Sequence, residues 1–345
     1  MMMATIDNAE FERIAELVRR DDPAVAGIET YPDGKYQART ATLKSLFDEV
    51  TACLAEGFRG RAAGEFPILH CATGRCRVGS TALANLFGVA GLPSYQQPVK
   101  AVLRQRLHGK AGLALIPPSA AEHADVFSKE TVGPYVLAEC LINPLQMLIE
   151  AGYPPDRLKL IVLDREPSRS LASWLAIFSA RMPEILLVRN HILAALNIRR
   201  VENYEMRLGV PVTHYVHEAS KEPIESARAL FDRLGLSGRF TAAAVTDWKE
   251  MGQIASKNAK LVFPTEPNIY DIPGALRSAT AYEYRNGSAV SLSAENLEML
   301  ARFGIPQIYR ESAQACAHDL RMSAATAARL FGTETSTTRH LEAAE

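Results

Sequence analysis

The run Leu158-Lys159-Leu160-Ile161-Val162-Leu163 constrains this chain more than any other six residues. It is apolar apart from Lys159 and lacks the alternation of a strand with one wet face. Such a strand is buried on both sides, which is the situation of a parallel sheet covered by helices. Pro67 to Ala72 reads as a second short buried strand and Val210 to Val216 as a third. Segments of helical period surround them: 7–20, with Phe11, Ile14, Leu17 and Val18; 40–58, with Leu43, Leu46, Phe47, Val50 and Leu54; Thr81 to Val89; 134–150; 169–206; 222–234, ending at Gly235; 293–303; and 307–318. Residues 92–126 and 240–290 read as irregular, because proline, glycine and asparagine interrupt any period. The alternation predicts an α/β fold with a parallel sheet flanked by helices on both faces. There is no repeat and no break in composition. The expected organisation is an N-terminal helical segment packed on the core (1–65), one α/β domain (66–330) and a polar tail (331–345). A chain of 345 residues, 48% apolar, supports a core of that size.

The segment Cys71-Ala72-Thr73-Gly74-Arg75-Cys76-Arg77-Val78-Gly79-Ser80-Thr81 follows the second strand and opens a helix. That is the setting in which backbone N–H groups and a helix N-terminus converge on an anion. Gly74 and Gly79 have the spacing of a Walker A loop and Thr81 holds its hydroxyl position, but Ser80 stands where a nucleotide hydrolase carries its lysine. Arg75 and Arg77 supply charge inside the turn instead. The architecture expected is therefore P-loop-like and nucleotide-binding. The plain alternative is a structural glycine turn between strand and helix.

Arg77-Val78-Gly79-Ser80-Thr81 resembles the 5′-phosphosulfate loop of the sulfotransferases that use 3′-phosphoadenosine 5′-phosphosulfate (PAPS), with Val78 in place of the usual serine. The resemblance implies that Arg77 contacts the bridging oxygen and the sulfuryl group, and that Gly79, Ser80 and Thr81 hold the 5′-phosphate. A second segment, Leu160 to Ser173, carries the same resemblance. An apolar strand ends at Asp164-Arg165, Pro167 forces a turn, and Ser173 lies eight residues beyond Arg165. The matching Arg, Pro and Ser of the family form the 3′-phosphate site, which puts Arg165 and Ser173 there, with Glu166 in place of the common Asp. Read without the family, Asp164 is a Walker B acid and Arg165 a surface ion-pair partner.

Two weaker likenesses complete the resemblance. Tyr215, on the strand 210–216, matches a residue near the adenine, with a core tyrosine as the alternative. Lys257, in Ser256-Lys257-Asn258-Ala259-Lys260, matches a late basic segment over the 3′-phosphate, with a solvated lysine pair as the alternative. The family's base lies between the two main segments. The nearest counterpart is Ser128-Lys129-Glu130-Thr131, so Glu130 is the expected base and Lys129 the partner of the sulfuryl oxygens, with His123 and Glu139 in reserve. His70, on a buried strand, reads as structural.

The activity implied is transfer of a sulfuryl group from PAPS to a hydroxyl or amine, leaving 3′-phosphoadenosine 5′-phosphate. An atypical kinase or hydrolase with Thr81 and Asp164 on Mg²⁺, or a non-catalytic nucleotide binder, are the alternatives. A net charge of −1 gives no global attraction to nucleic acid or anionic membrane. The loops 92–126 and 264–290 hold Pro, Tyr, Leu and Phe, which suits a small organic acceptor. No metal site is expected, because Cys53, Cys71, Cys76, Cys140 and Cys316 are scattered. The absence of an apolar leader or a span of about 18–20 apolar residues points to a cytoplasmic protein.

Overall fold

The computed structural model describes residues 7–30, 40–109, 115–248, 279–285 and 290–332. In chain order the first elements are α1 (Asn8–Arg19), a two-residue antiparallel pair β1 (Glu29–Thr30) and β2 (Ala41–Thr42), α2 (Leu43–Phe58), β3 (Ile68–Arg75), α3 (Ser80–Val89), β4 (Ser94–Gln96), α4 (Pro98–Leu107) and β5 (Asp125–Val132). There follow α5 (Leu137–Leu141), α6 (Pro144–Glu150), β6 (Leu158–Asp164), α7 (Pro167–Phe178), α8 (Glu184–Arg207), β7 (Val212–Val216), α9 (Pro223–Leu234) and α10 (Ala242–Thr246). The last described helices are labelled α11 (Ala294–Arg302), α12 (Ile305–Asp319) and α13 (Ala324–Phe331).

Five strands form one parallel sheet in the order β4-β5-β3-β6-β7. Side-chain alternation sends each strand into two cores. On β6, Leu158, Leu160 and Val162 enter one core while Ile161 and Leu163 enter the other. The first core lies under α2, α4, α5 and α8, and the second under α3 and α9. In the second, the rings of Phe87, Phe127 and Phe231 stack at 4.3 and 4.7 Å between α3, β5 and α9. The single interruption of the β6 run is accounted for: the ammonium of Lys159 donates to the Leu234 carbonyl at 2.7 Å, capping the end of α9. Gly235 follows in the left-handed region, as expected of a glycine that ends a helix. The N-terminal segment has no separate core, since Ile14, Leu43, Val50 and Leu54 bury into the cluster that holds Leu69 of β3.

Several expectations need correction. The region 92–126 is not irregular throughout: it holds β4, α4 and the start of β5. Pro98 lies in the first turn of α4, where a missing N–H costs nothing, so it opens the helix instead of breaking it. The expected helix 134–150 is two short helices divided at Asn143-Pro144, and 169–206 is divided before Glu184 by Pro183. The stretch around Lys129 and Glu130 is an interior strand. It was illegible because its central residues, Ser128 to Thr131, are all polar yet buried. Lys257, most of the loop 264–290 and residues 333–345 of the tail lie outside the described residues.

Candidate functional site

All five strands point their carboxyl ends the same way, and the connection leaving β3 at that edge carries the glycine turn singled out in the sequence. Because β3 runs through Arg75, the turn is only Cys76 to Gly79. Gly74 is therefore not a loop glycine. A Cβ there would lie 2.4 Å from the Leu163 carbonyl oxygen, so its lack of a side chain lets β3 approach β6. Gly79 does belong to the turn: φ is +82°, and it forms the N-cap of α3. Arg77 also has positive φ, +71°, uncommon for a residue with a side chain. Three contacts hold this conformation: the Cys76 N–H donates to Val132 O at 3.1 Å, the Trp174 indole to Cys76 O at 2.6 Å, and Arg165 Nη1 to Arg77 O at 3.1 Å.

A cavity of about 180 Å³ opens over this turn. Arg77, Gly79, Ser80, Thr81, Arg165 and Ser173 all line it. The two segments singled out in the sequence thus meet at one place, and Arg77 Nε lies 3.1 Å from Ser173 Oγ across 96 residues of chain. No ion pair with a carboxylate involves Arg77 or Arg165 among the described residues. Burial, and after it the neighbouring Arg165 charge, pushes Arg77 below its ordinary value. Burial does the same to Arg165, offset in part by the Glu218 carboxylate. The Arg165 Nε is buried with no hydrogen-bond partner. Two guanidiniums with no carboxylate at ion-pair distance, Arg165 buried with an orphaned donor and Arg77 half-buried beside it, fit an anionic ligand.

Lys129 also falls here. It is on the face of β5 turned toward α3, and its ammonium donates to the Thr81 hydroxyl at 2.6 Å. Glu130, one residue on, is on the opposite face. Its two oxygens accept the Val99 and Lys100 N–H groups at 2.7 and 3.2 Å, capping α4 from a neighbouring strand. The expectation that Glu130 is the base is therefore corrected: it is fully buried on the wrong side of the sheet. The reserves fare no better. His123 precedes β5, at the amino edge, and Glu139 is a buried ion-pair partner of Arg104 at 2.8 Å.

Three cofactor-site expectations are likewise corrected. Arg75 faces the α8 side of the sheet, where its guanidinium pairs with Asp164 and donates to the Arg165 carbonyl at 2.9 Å. The side chain of Val78 is buried in the core with Leu83 and Phe87 and does not line the cavity. Tyr215 is also in the core; its hydroxyl lies 3.2 Å from Ser226 Oγ and accepts from Tyr282 at 2.9 Å. His70 is buried with Nε2 2.8 Å from Asp125 Oδ1, at the amino half of the sheet.

Two lining residues carry chemistry that the sequence reading did not assign. His217 follows the end of β7, two residues beyond Tyr215, where the chain reaches the cavity edge. Arg285 lies on a segment, 279–285, tied across the opening by the Trp248 N–H to Thr280 O at 2.8 Å and the Tyr282 N–H to Val245 O at 2.7 Å. The signal for His217 was the strand-end position itself, since α/β sheets place ligands at carboxyl ends. For Arg285 no local signal exists, because the segment is irregular.

Among the described residues no group of three His, Cys, Asp or Glu is placed to hold a metal ion, and no helix is long and apolar enough to cross a membrane. The chain matches no family model, no curated protein and no solved structure.

Proposed function

We propose that this protein is a sulfotransferase that takes a sulfuryl group from PAPS and passes it to a hydroxyl or amine of a small organic acceptor. The observation that carries this reading is the meeting of Arg77 and Arg165, without carboxylate partners, in one cavity over a glycine turn that opens a helix. The donor has two anionic ends, and the site offers two sets of donors. Arg77, Ser80, Thr81 and the first N–H groups of α3 suit the 5′ end, in a P-loop-like arrangement. Arg165 and Ser173 suit a 3′-phosphate. When bound, PAPS supplies a sulfuryl group on a good phosphate leaving group. The protein's part is to hold that group and to offset negative charge as the bond to the leaving oxygen lengthens. Lys129, one hydrogen bond from the cavity through Thr81, adds positive charge at that end.

The kinase alternative needs Thr81 and Asp164 turned to a cation. Instead Thr81 accepts from an ammonium, and Asp164 is engaged by Arg75 and by the Arg165 N–H at 2.8 Å. A cytoplasmic location, where PAPS is made, fits this reading.

Calorimetric titration with adenosine 3′,5′-bisphosphate in EDTA tests the reading. Wild type binds, and Arg165→Ala binds roughly 30-fold more weakly, about 2 kcal/mol for a charge-assisted contact. Binding of Mg²⁺-ATP with none of the bisphosphate would overturn it. Release of bisphosphate from PAPS in the presence of an acceptor pool separates an enzyme from a binding protein.

A further inference from the structure

Among the described residues that line the cavity, His217 carries the one imidazole. Its Nε2 lies 3.4 Å from the Arg285 carbonyl oxygen. A carbonyl only accepts, so Nε2 is the protonated nitrogen of the neutral ring and Nδ1 is bare. The bare nitrogen faces the phosphate turn: a Cβ built on Gly79 would lie 2.6 Å from it. The ring is held in this attitude by Tyr284, whose ring centroid is 5.0 Å away.

The charged groups around the ring are mostly cations. Arg77 faces it from the turn, Arg165 from the end of β6 and Arg169 from α7. From the segment over the opening, Tyr284 accepts a hydrogen bond from Arg169, and the Arg285 guanidinium is paired with Glu283. The next residue in the chain, Glu218, accepts the Glu166 N–H at 3.2 Å. Burial, reinforced by Arg165, Arg77 and Arg169, lowers the imidazole to about 4. The ring is thus neutral at pH 7, in a place where the surrounding charge is mostly positive.

We propose that His217 couples anion binding to proton uptake: when a phosphomonoester dianion settles between Arg77 and Arg165, Nδ1 takes one proton from the solvent and the new N–H donates to the anion. This rests on the cavity being the site of a phosphorylated nucleotide. The dianion cancels the field of the three arginines and gives the imidazolium a partner, so the protonated ring becomes the favoured form. The proton comes from the buffer acid, and no other bond forms or breaks. By linkage, affinity then rises as pH falls toward the ring's value in the complex, by up to about tenfold per pH unit.

The test is calorimetric titration of the full chain with adenosine 3′,5′-bisphosphate at pH 6 to 8, in two buffers of different protonation enthalpy, for wild type and His217→Gln. The variant keeps a donor and cannot titrate. At pH 6 wild type is expected to take up close to one proton more than the variant, with the difference fading by pH 8, and to gain roughly tenfold in affinity from pH 8 to pH 6 relative to it. Binding with equal proton counts in both proteins overturns the inference and leaves the sulfotransferase reading standing. No binding by wild type at any pH overturns both. Nitrogen NMR of ¹⁵N-histidine-labelled wild type needs no variant: one imidazole Nδ1 passes from bare to protonated on saturation at pH 6, and a spectrum in which none does overturns the inference.

Discussion

His214 lies in the middle of β7 and His217 just past its end, three residues on, and their surroundings are opposite in charge. His214 bridges two carboxylates, with Nδ1 3.0 Å from Asp319 on α12 and Nε2 2.9 Å from Glu202 on α8. Burial alone would lower its value, but the hydrogen bonds and charges of Asp319 and Glu202 outweigh that and raise it to about 9. His217 has three arginines around it and stays neutral. The first is a finished ion cluster that ties the sheet edge to two helices. The second is an unfinished one, short of negative charge. The comparison separates an ionised group that has its counter-ions in the chain from a neutral one kept neutral by burial and by the cations around it.

The largest effect expected from breaking this contrast is on the finished side. His214→Ala leaves Glu202 and Asp319 buried without the cation between them and costs about 3 kcal/mol of unfolding free energy, measured by urea denaturation. A loss under ~1 kcal/mol would show that Arg199 and Arg233, which also reach these carboxylates, are enough. The pH profile sharpens the point. A histidine raised in the folded state contributes stability that is fully present below pH ~6.5 and is lost as pH rises through about 9. Wild type should therefore lose about 2–3 kcal/mol between pH 6.5 and 9 that His214→Gln does not lose. The smallest effect lies between the poles. Tyr215→Phe removes a hydroxyl bonded to Ser226 and Tyr282, costing about 1 kcal/mol of stability. Bisphosphate affinity should stay within about twofold of wild type. A loss as large as that of Arg165→Ala would return Tyr215 to the ligand site.

Local patterns carried much of this molecule. The apolar run of β6 announced a strand buried on both faces, and its flanks announced the α/β class. Gly79, Ser80 and Thr81, at a strand-to-helix junction, announced a glycine turn opening a helix, since a helix N-terminus with a left-handed glycine before it depends on a few consecutive residues. Arg165 and Ser173 were legible for the same reason: a strand end and the helix after it lie together by chain connectivity.

Side-of-sheet decisions were out of reach. Arg75 and Arg77 look alike in sequence, but the last residue of β3 points toward α8 and Asp164, whereas the next arginine sits in the turn with positive φ and faces the cavity. Lys129 and Glu130 are neighbours sent to opposite faces by the pleat, one to Thr81 and the other to the first turn of α4. Nothing in the residues themselves marks which face is which, because that depends on where the strand sits among its neighbours. By itself the sequence determined the strands β3, β6 and β7, the α/β arrangement around them and the two segments that meet. Only the tertiary structure decided which charges were already neutralised by partners far along the chain and which were not, since a buried charge takes its meaning from the groups packed against it.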